Sequence, residues 1–214
     1  MGNAIGTLIT VVLMGSVTTA GISAMDVPLQ LDLSVESVNA EWTQRVSEGN
    51  ILTLKDGWLS IEAGEDSFAH IQRPLGVDCV TIAAKLAVCA SMYVAWDADN
   101  WCGVGKFTPS PFGKFYSTVT EGGKTIETDH RGCSFWAPHM VRLQIGKDCI
   151  RFSYSNDGGK WHLLRAIERP AGFAGAPKLV AFGKHYPPGM RPFADMDATQ
   201  LGSAKGARFG LSIS

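Results

Sequence analysis

Asp97, Asp99 and Asn100 stand in a D-x-D-N run, and oxygen atoms clustered in this way are what a calcium ion takes as ligands. The same residue types close tight turns without any metal, because Asp and Asn side chains bond the backbone two residues on. Asp97 and Asp99 are thus the candidate calcium ligands, beside a metal-free reading of the same turn, and no other cofactor is indicated. His130, Cys133 and His139 have the donor types of a zinc site, but strands aim them in different directions and no fourth ligand accompanies them. Gly-x-Ser-x-Gly, His-Glu-x-x-His and P-loop motifs are absent. His70, within Phe68-Ala-His-Ile-Gln-Arg73, has the neighbours of a packed strand rather than of a base, so no catalytic residue is assigned on motif grounds.

A different chemistry suits the aromatic residues. Sugar rings present flat C–H faces that stack on aromatic plates, while their hydroxyls need planar polar partners. Tyr93, Trp101, Tyr116 and Trp136, with Asn100, Arg142, Arg73 and Gln72, supply both kinds and form the candidate ligand-binding set. The charge balance excludes another partner class. Lysine and arginine total 19 against 20 acidic residues, for a net charge of −1, without the basic excess that nucleic-acid binding uses.

These residues need elements to hold them. From Leu29 onward apolar residues recur with period two in short runs separated by turn formers, the pattern of half-buried strands. Strands are expected at Leu29–Val35, Ile51–Lys55, Trp58–Ala63, Ser67–Arg73, Val77–Cys89, Ser91–Asp97 and Trp101–Phe107. Others follow at Lys114–Thr120, Thr125–Asp129, Ser134–Ile145, Cys149–Ser155, Trp161–Ile167, Lys178–Gly183 and Ala207–Ile213. Lys55-Asp-Gly57, Glu121-Gly-Gly123 and Asn156-Asp-Gly-Gly159 are chemically suited to hairpin turns because they tolerate positive φ. So many short strands imply two packed sheets or a closed barrel. The expected core includes Trp58, Ile61, Ile71, Ile82, Val94, Trp96, Val104, Val141, Leu143, Ile145, Ile150, Phe152, Tyr154 and Trp161. Tyr186 to Gly206 is the one long irregular segment.

Strand alternation sharpens the ligand reading. Met92, Val94, Trp96, Cys102 and Val104 form one apolar face, which turns Tyr93, Trp101, Gly103 and Gly105 to the other. A groove floored by the glycines and flanked by Tyr93 and Trp101, with Tyr116 and Arg142 nearby, is one expectation. The other is that the Tyr186–Gly206 segment covers that floor.

Met1 to Met25 carry no charged side chain, and the apolar run Ile5 to Met14 precedes small residues through Ala24. This reads as a secretory signal over residues 1–24, without the usual basic start, or as an N-terminal anchor, followed by one domain over 25–214. A secreted, periplasmic or envelope location follows, with no stable membrane span after cleavage. The five cysteines show no CxxC pair, and their odd count leaves at least one thiol outside any disulfide. Most read as small buried hydrophobes, with one or two disulfides allowed by export.

Val141-Arg-Leu-Gln-Ile145, then Tyr154-Ser-Asn-Asp-Gly-Gly-Lys-Trp161, has the form of a strand, a turn, a strand ending in YSxDG and a tryptophan opening the next strand. With Trp58-Leu-Ser-Ile-Glu62, His70-Ile-Gln-Arg73, Tyr93-Val-Ala-Trp96 and Asn100-Trp101, it resembles the concanavalin A-like lectin/glucanase superfamily, in particular its regulation-of-enolase-like and β-xylosidase C-terminal-like branches. The resemblance runs from about Leu29 to Gly183. It implies an all-β, two-sheet antiparallel jelly-roll sandwich whose terminal strand Ala207–Ile213 returns beside the first. It also implies a glycan as partner; no oligomeric state is assigned. Laminarinase-like members carry three strand carboxylates as Glu-x-Asp-x-x-Glu or Glu-x-Asp-x-Glu. Glu127-Thr-Asp129-His-Arg131-Gly132 keeps two of them and has lost the third. An exported, non-catalytic, carbohydrate-binding domain is therefore expected, against a hydrolase using Glu127 and Asp129 or a protein-interaction or envelope domain without a small ligand.

Overall fold

A computed structural model describes residues 42–55, 58–62, 67–86, 89–107, 113–134, 137–194 and 196. The leader, the strands expected at Leu29–Val35 and Ala207–Ile213, and Trp136 lie outside the described residues, as do the side chains of Trp58 and Ile61. The described chain is built of thirteen strands: β1 (Thr43–Val46), β2 (Ile51–Lys55), β3 (Trp58–Glu62), β4 (Ala69–Pro74), β5 (Val80–Leu86), β6 (Ala90–Ala95), β7 (Trp101–Phe107), β8 (Gly113–Glu121), β9 (Lys124–Cys133), β10 (His139–Ile145), β11 (Cys149–Ser155), β12 (His162–Glu168) and β13 (Leu179–Lys184). The only helical turn among them is a 3-10 turn at Ala171–Phe173.

The strands form a two-sheet antiparallel jelly-roll sandwich. One sheet has seven strands in the order β1-β4-β13-β6-β7-β8-β9, the other four in the order β12-β11-β10-β5, and β2 and β3 form a separate hairpin. Where the turn chemistry is strong the expected bounds hold, as in Ile51–Lys55, Trp101–Phe107 and Cys149–Ser155. Two long runs begin later than expected: Val77–Cys89 pairs from Val80, and Ser134–Ile145 pairs from His139. Pro138, which has no N–H to give to a ladder, precedes that later start. Strand β1 was not expected, since Thr43-Gln-Arg-Val46 is too short and polar to show alternation; its pairing with β4 makes it a strand.

Period-two alternation sets the core. On β5 and β10, Val80, Ile82, Ala84, Leu86, Val141, Leu143 and Ile145 are buried while the residues alternating with them face outward. They meet Met92, Val94, Cys102 and Val104 from the seven-stranded sheet. Every described member of the expected core is buried except Trp161, which is half-exposed because it precedes β12 and turns onto the sheet's outer surface. A second apolar cluster of Tyr93, Ala95, Trp101, Leu179, Ala181, Tyr186 and Phe193 sits on the far side of the seven-stranded sheet. None of the five cysteines is in a disulfide; Cys102 is buried and the others are half-buried.

Candidate functional site

The second cluster is where the aromatic groove was expected, and the structure corrects that expectation. Tyr93, Trp101 and Tyr116 share the outer face of the seven-stranded sheet, at 0%, 1% and 0% exposure. The chain from His185 to Ala194 passes over this face: Tyr186 stacks on Tyr93 with ring centroids 5.0 Å apart, and the Phe193 ring packs edge-on against Trp101 at 5.7 Å. The glycines admit neighbouring side chains rather than a ligand. A Cβ at Gly103 would stand 2.6 Å from Tyr93 Cε1, and one at Gly105 would stand 2.6 Å from the Tyr116 hydroxyl. The alternative expectation, a floor covered by this strap, describes the face.

Polar groups fasten the strap. The Tyr93 O–H donates to the Lys184 carbonyl at 3.0 Å and accepts from the Tyr186 N–H at 3.1 Å. His70, fully buried, lies 2.6 Å from the Tyr186 hydroxyl through Nδ1 and 2.9 Å from Gln72 Oε1 through Nε2. Burial lowers the His70 pKa to about 4, so the ring is neutral. Since Gln72 Oε1 only accepts, Nε2 carries the hydrogen and the Tyr186 O–H donates to Nδ1. Burial pushes the Tyr93 and Tyr116 phenols up, so both are uncharged anchors.

The other expected residues are scattered. Asp97 Oδ1 accepts from the Asp99 N–H and the Asn100 amide, both at 2.9 Å, and Asn100 Oδ1 accepts from the Gly122 N–H at 3.1 Å. Asp99 is paired with Arg191 at 2.6 Å. The D-x-D-N oxygens therefore hold the turn together and tie it to the strap; among the described residues no three His, Cys, Asp or Glu side chains converge as metal ligands. Arg142 is on the four-stranded sheet, away from Tyr93, with its guanidinium 4.2 Å from the Trp161 ring centroid. Gln72 is committed to His70, and the Arg73 guanidinium lies 5.7 Å from the Trp42 ring. Glu127 and Asp129 do project from one face of β9. The Glu127 carboxylate accepts from His185 Nε2 at 2.6 Å, and Asp129 is ion-paired with Lys114.

An open cleft of about 540 Å³ lies elsewhere, at one end of the sandwich. It is lined from three places: Asp78 before β5, Lys147 and Asp148 in the β10–β11 turn, and the end of β12 at Glu168 with the segment from Arg169 to Gly175 that follows it. Arg169 fixes its floor. The Nε donates to the Phe173 carbonyl at 2.8 Å, one terminal nitrogen to the Gly146 carbonyl at 3.2 Å, and the other to Asp78 at 2.8 Å and to the Gly175 carbonyl. Beneath it, Phe173 stacks on Trp96 with centroids 4.3 Å apart. The exposed carboxylates Asp148 and Glu168 and the exposed Lys147 complete the rim. The cleft thus offers hydroxyl-binding acceptors and cationic donors around a rigid base. Sequence reasoning missed it because its residues come from distant turns and share no motif. The one local signal was Pro170-Ala-Gly-Phe-Ala-Gly-Ala-Pro177, which interrupts the strand pattern.

No protein-family model matches the chain, and no curated protein matches it in sequence. Among solved structures, the Bacteroides ovatus xyloglucan PUL GH43B protein superposes with a TM-score of 0.51 at 14% identity, over 76% of this chain and 36% of that one. That likeness shows a shared fold, and the chain spans about a third of GH43B. A functionally unknown protein from Saccharomyces cerevisiae aligns with a TM-score of 0.46 at 15% identity, over 67% of this chain and 94% of that one. The carbohydrate-binding module CBM66 from Bacillus subtilis aligns at 0.44 and 12%, over 69% and 93%.

Proposed function

We propose that the chain is an exported, non-catalytic carbohydrate-binding domain of the concanavalin A-like type, whose ligand sits in the cleft floored by Arg169. The cleft itself carries the reading. Its volume of about 540 Å³ falls in the range of small-ligand sites, roughly 300–1,000 Å³. Sugar hydroxyls need fixed acceptors and donors, and Asp78, Asp148, Glu168 and Lys147 surround a base that Arg169 keeps from moving. The seven-stranded sheet is a poorer candidate, because its aromatic face is already filled by the strap. The hydrolase alternative has less support: Glu127 is already hydrogen-bonded to His185 and Asp129 is ion-paired with Lys114 of the same domain. Export is supported by the uncharged, apolar start of the chain.

Immobilised glycans probed with the purified protein, with reducing-sugar release followed in parallel, test this. Binding without release is expected. Asp148→Ala removes one charged acceptor, which contributes about 1.5–3 kcal/mol to a hydrogen bond, so affinity should fall by roughly tenfold or more. Unchanged affinity in Asp148→Ala would remove the cleft from consideration, release abolished by Glu127→Gln would establish the hydrolase, and silence in both assays would favour a protein-interaction domain.

A further inference from the structure

The strap over the seven-stranded sheet is fastened mainly by side chains. Its own backbone bonds form internal turns: the Met190 N–H donates to the Pro187 carbonyl, Ala194 to Arg191 and Met196 to Phe193, at 3.2, 3.2 and 3.0 Å. Side chains tie it down at three places. At its start His185 Nε2 meets the Glu127 carboxylate at 2.6 Å, and near its end Arg191 pairs with Asp99 at 2.6 Å. Between them Tyr186 and Phe193 pack against Tyr93, Trp101 and His70.

The middle tie is built around a buried imidazole. His70 lies on β4, level with Arg45 of β1 on one side and with Gly183 of β13 on the other. Glycine makes room for it, since a Cβ at Gly183 would stand 2.5 Å from the His70 Cβ. Tyr186 and Phe193 of the strap close over the ring, Phe68 flanks it, and Gln72 takes its Nε2 hydrogen. Its charged neighbour is Arg45, a cation, and its titratable neighbour is the Tyr186 phenol, which burial keeps neutral. A positive charge on the covered ring is therefore opposed by burial and by Arg45, and Gln72 offsets only part of that cost. Lifting the strap lets water reach the ring. The proton is thus a ligand that favours the open form.

We propose that the strap is an acid-released lid: protonation of His70 lifts residues 185–194 from the sheet while the sandwich stays folded. Release uncovers Tyr93, Ala95, Trp101 and Ala181, an apolar face that the strap otherwise keeps dry. The covered ring takes its proton at about pH 4 and a free one at 6.5, so the open population should rise about twentyfold between pH 7 and pH 5.

Amide exchange followed by nuclear magnetic resonance tests this. The Tyr186 N–H, which donates to the Tyr93 hydroxyl at 3.1 Å, reports opening once its rate is corrected for the intrinsic chemistry of exchange. From pH 7 to pH 5, above the ordinary titration of carboxylates, the parent should lose about twentyfold more protection there than His70→Gln, which cannot titrate. His185 is present in both proteins and cancels. Urea gives a second reading that needs no variant. Below the unfolding transition, Tyr186 exchange should be nearly independent of urea, because local opening exposes little surface, while exchange at Val104 in the middle of the same sheet quickens with it. Equal losses of protection in the parent and His70→Gln overturn the proposal. So do equal rates and equal urea dependence at Tyr186 and Val104, which would mean that the strap opens only when the sandwich unfolds.

Discussion

His70 links the strap to proton concentration. Its ring is enclosed by Phe68, Tyr186 and Phe193 and hydrogen-bonded to Tyr186 and Gln72, with Arg45 the nearby charge. Protonation would put a buried cation there and remove the acceptor that Tyr186 uses. The folded pKa is about 4 against 6.5 for a free imidazole. Below pH 6.5 the unfolded chain binds a proton that the folded chain refuses until pH nears 4, so stability falls with pH across that window. The difference of about 2.5 pH units, at roughly 1.4 kcal/mol per unit, is about 3 kcal/mol. Urea unfolding from pH 7 to pH 4 at constant ionic strength, compared with His70→Gln, isolates it. Gln cannot titrate, and His130 and His139, whose pKa values burial also lowers, are present in both proteins and cancel. The parent should lose about 3 kcal/mol more than the variant between pH 7 and pH 4. Parallel stability curves would refute the assignment of His70 as a buried neutral anchor, whatever the variant's absolute stability.

Gly103→Ala should destabilise by about 1–3 kcal/mol, since its Cβ would press on the Tyr93 ring and stand 2.9 Å from the Met92 carbonyl oxygen; a thermal melt superimposable on the parent's would contradict that packing. Phe193→Ala empties a position that is 1% exposed and should cost about 3–5 kcal/mol. It should also shift Trp101 emission to the red, which an effect confined to the strap's own backbone would not do. Arg169→Met removes the donors that hold the Phe173, Gly146 and Gly175 carbonyls. A loss of about 3 kcal/mol in chemical denaturation is expected, together with loss of glycan binding; binding at parental affinity would show that the cleft floor is not needed.

The strands were legible because alternation is a local property. Met92, Val94, Cys102 and Val104 announced one face of β6 and β7, and the structure buries that face between the sheets. Strand β1 escaped because four residues hold too few alternations to separate a strand from a loop, and Trp161 was misjudged because a tryptophan's size suggests burial until its place before β12 is known. The harder failure was at the outer face of the seven-stranded sheet. Alternation correctly turned Tyr93 and Trp101 away from the inter-sheet core, but outward from one core is not the same as exposed. Whether a sheet's second face is wet depends on another segment landing there, and that is a long-range event.

The strap nevertheless advertises itself in hindsight through side-chain chemistry. Tyr186, Met190 and Phe193 recur three or four residues apart in a segment rich in proline and glycine, where turns rather than a helix carry them to one side. A solvated loop would have little reason to carry three such residues, whose burial is worth about 1.5–3 kcal/mol for a side chain of the Met or Phe kind. A polar sheet face would not receive them, whereas a face with Tyr93, Trp101 and two glycines does. The aromatic content that suggests a sugar-binding groove is thus equally the content of a cap and its seat, and pairing the two segments removes both from the list of ligand contacts. What remains for ligands is polar and lies on connections: the cleft floored by Arg169.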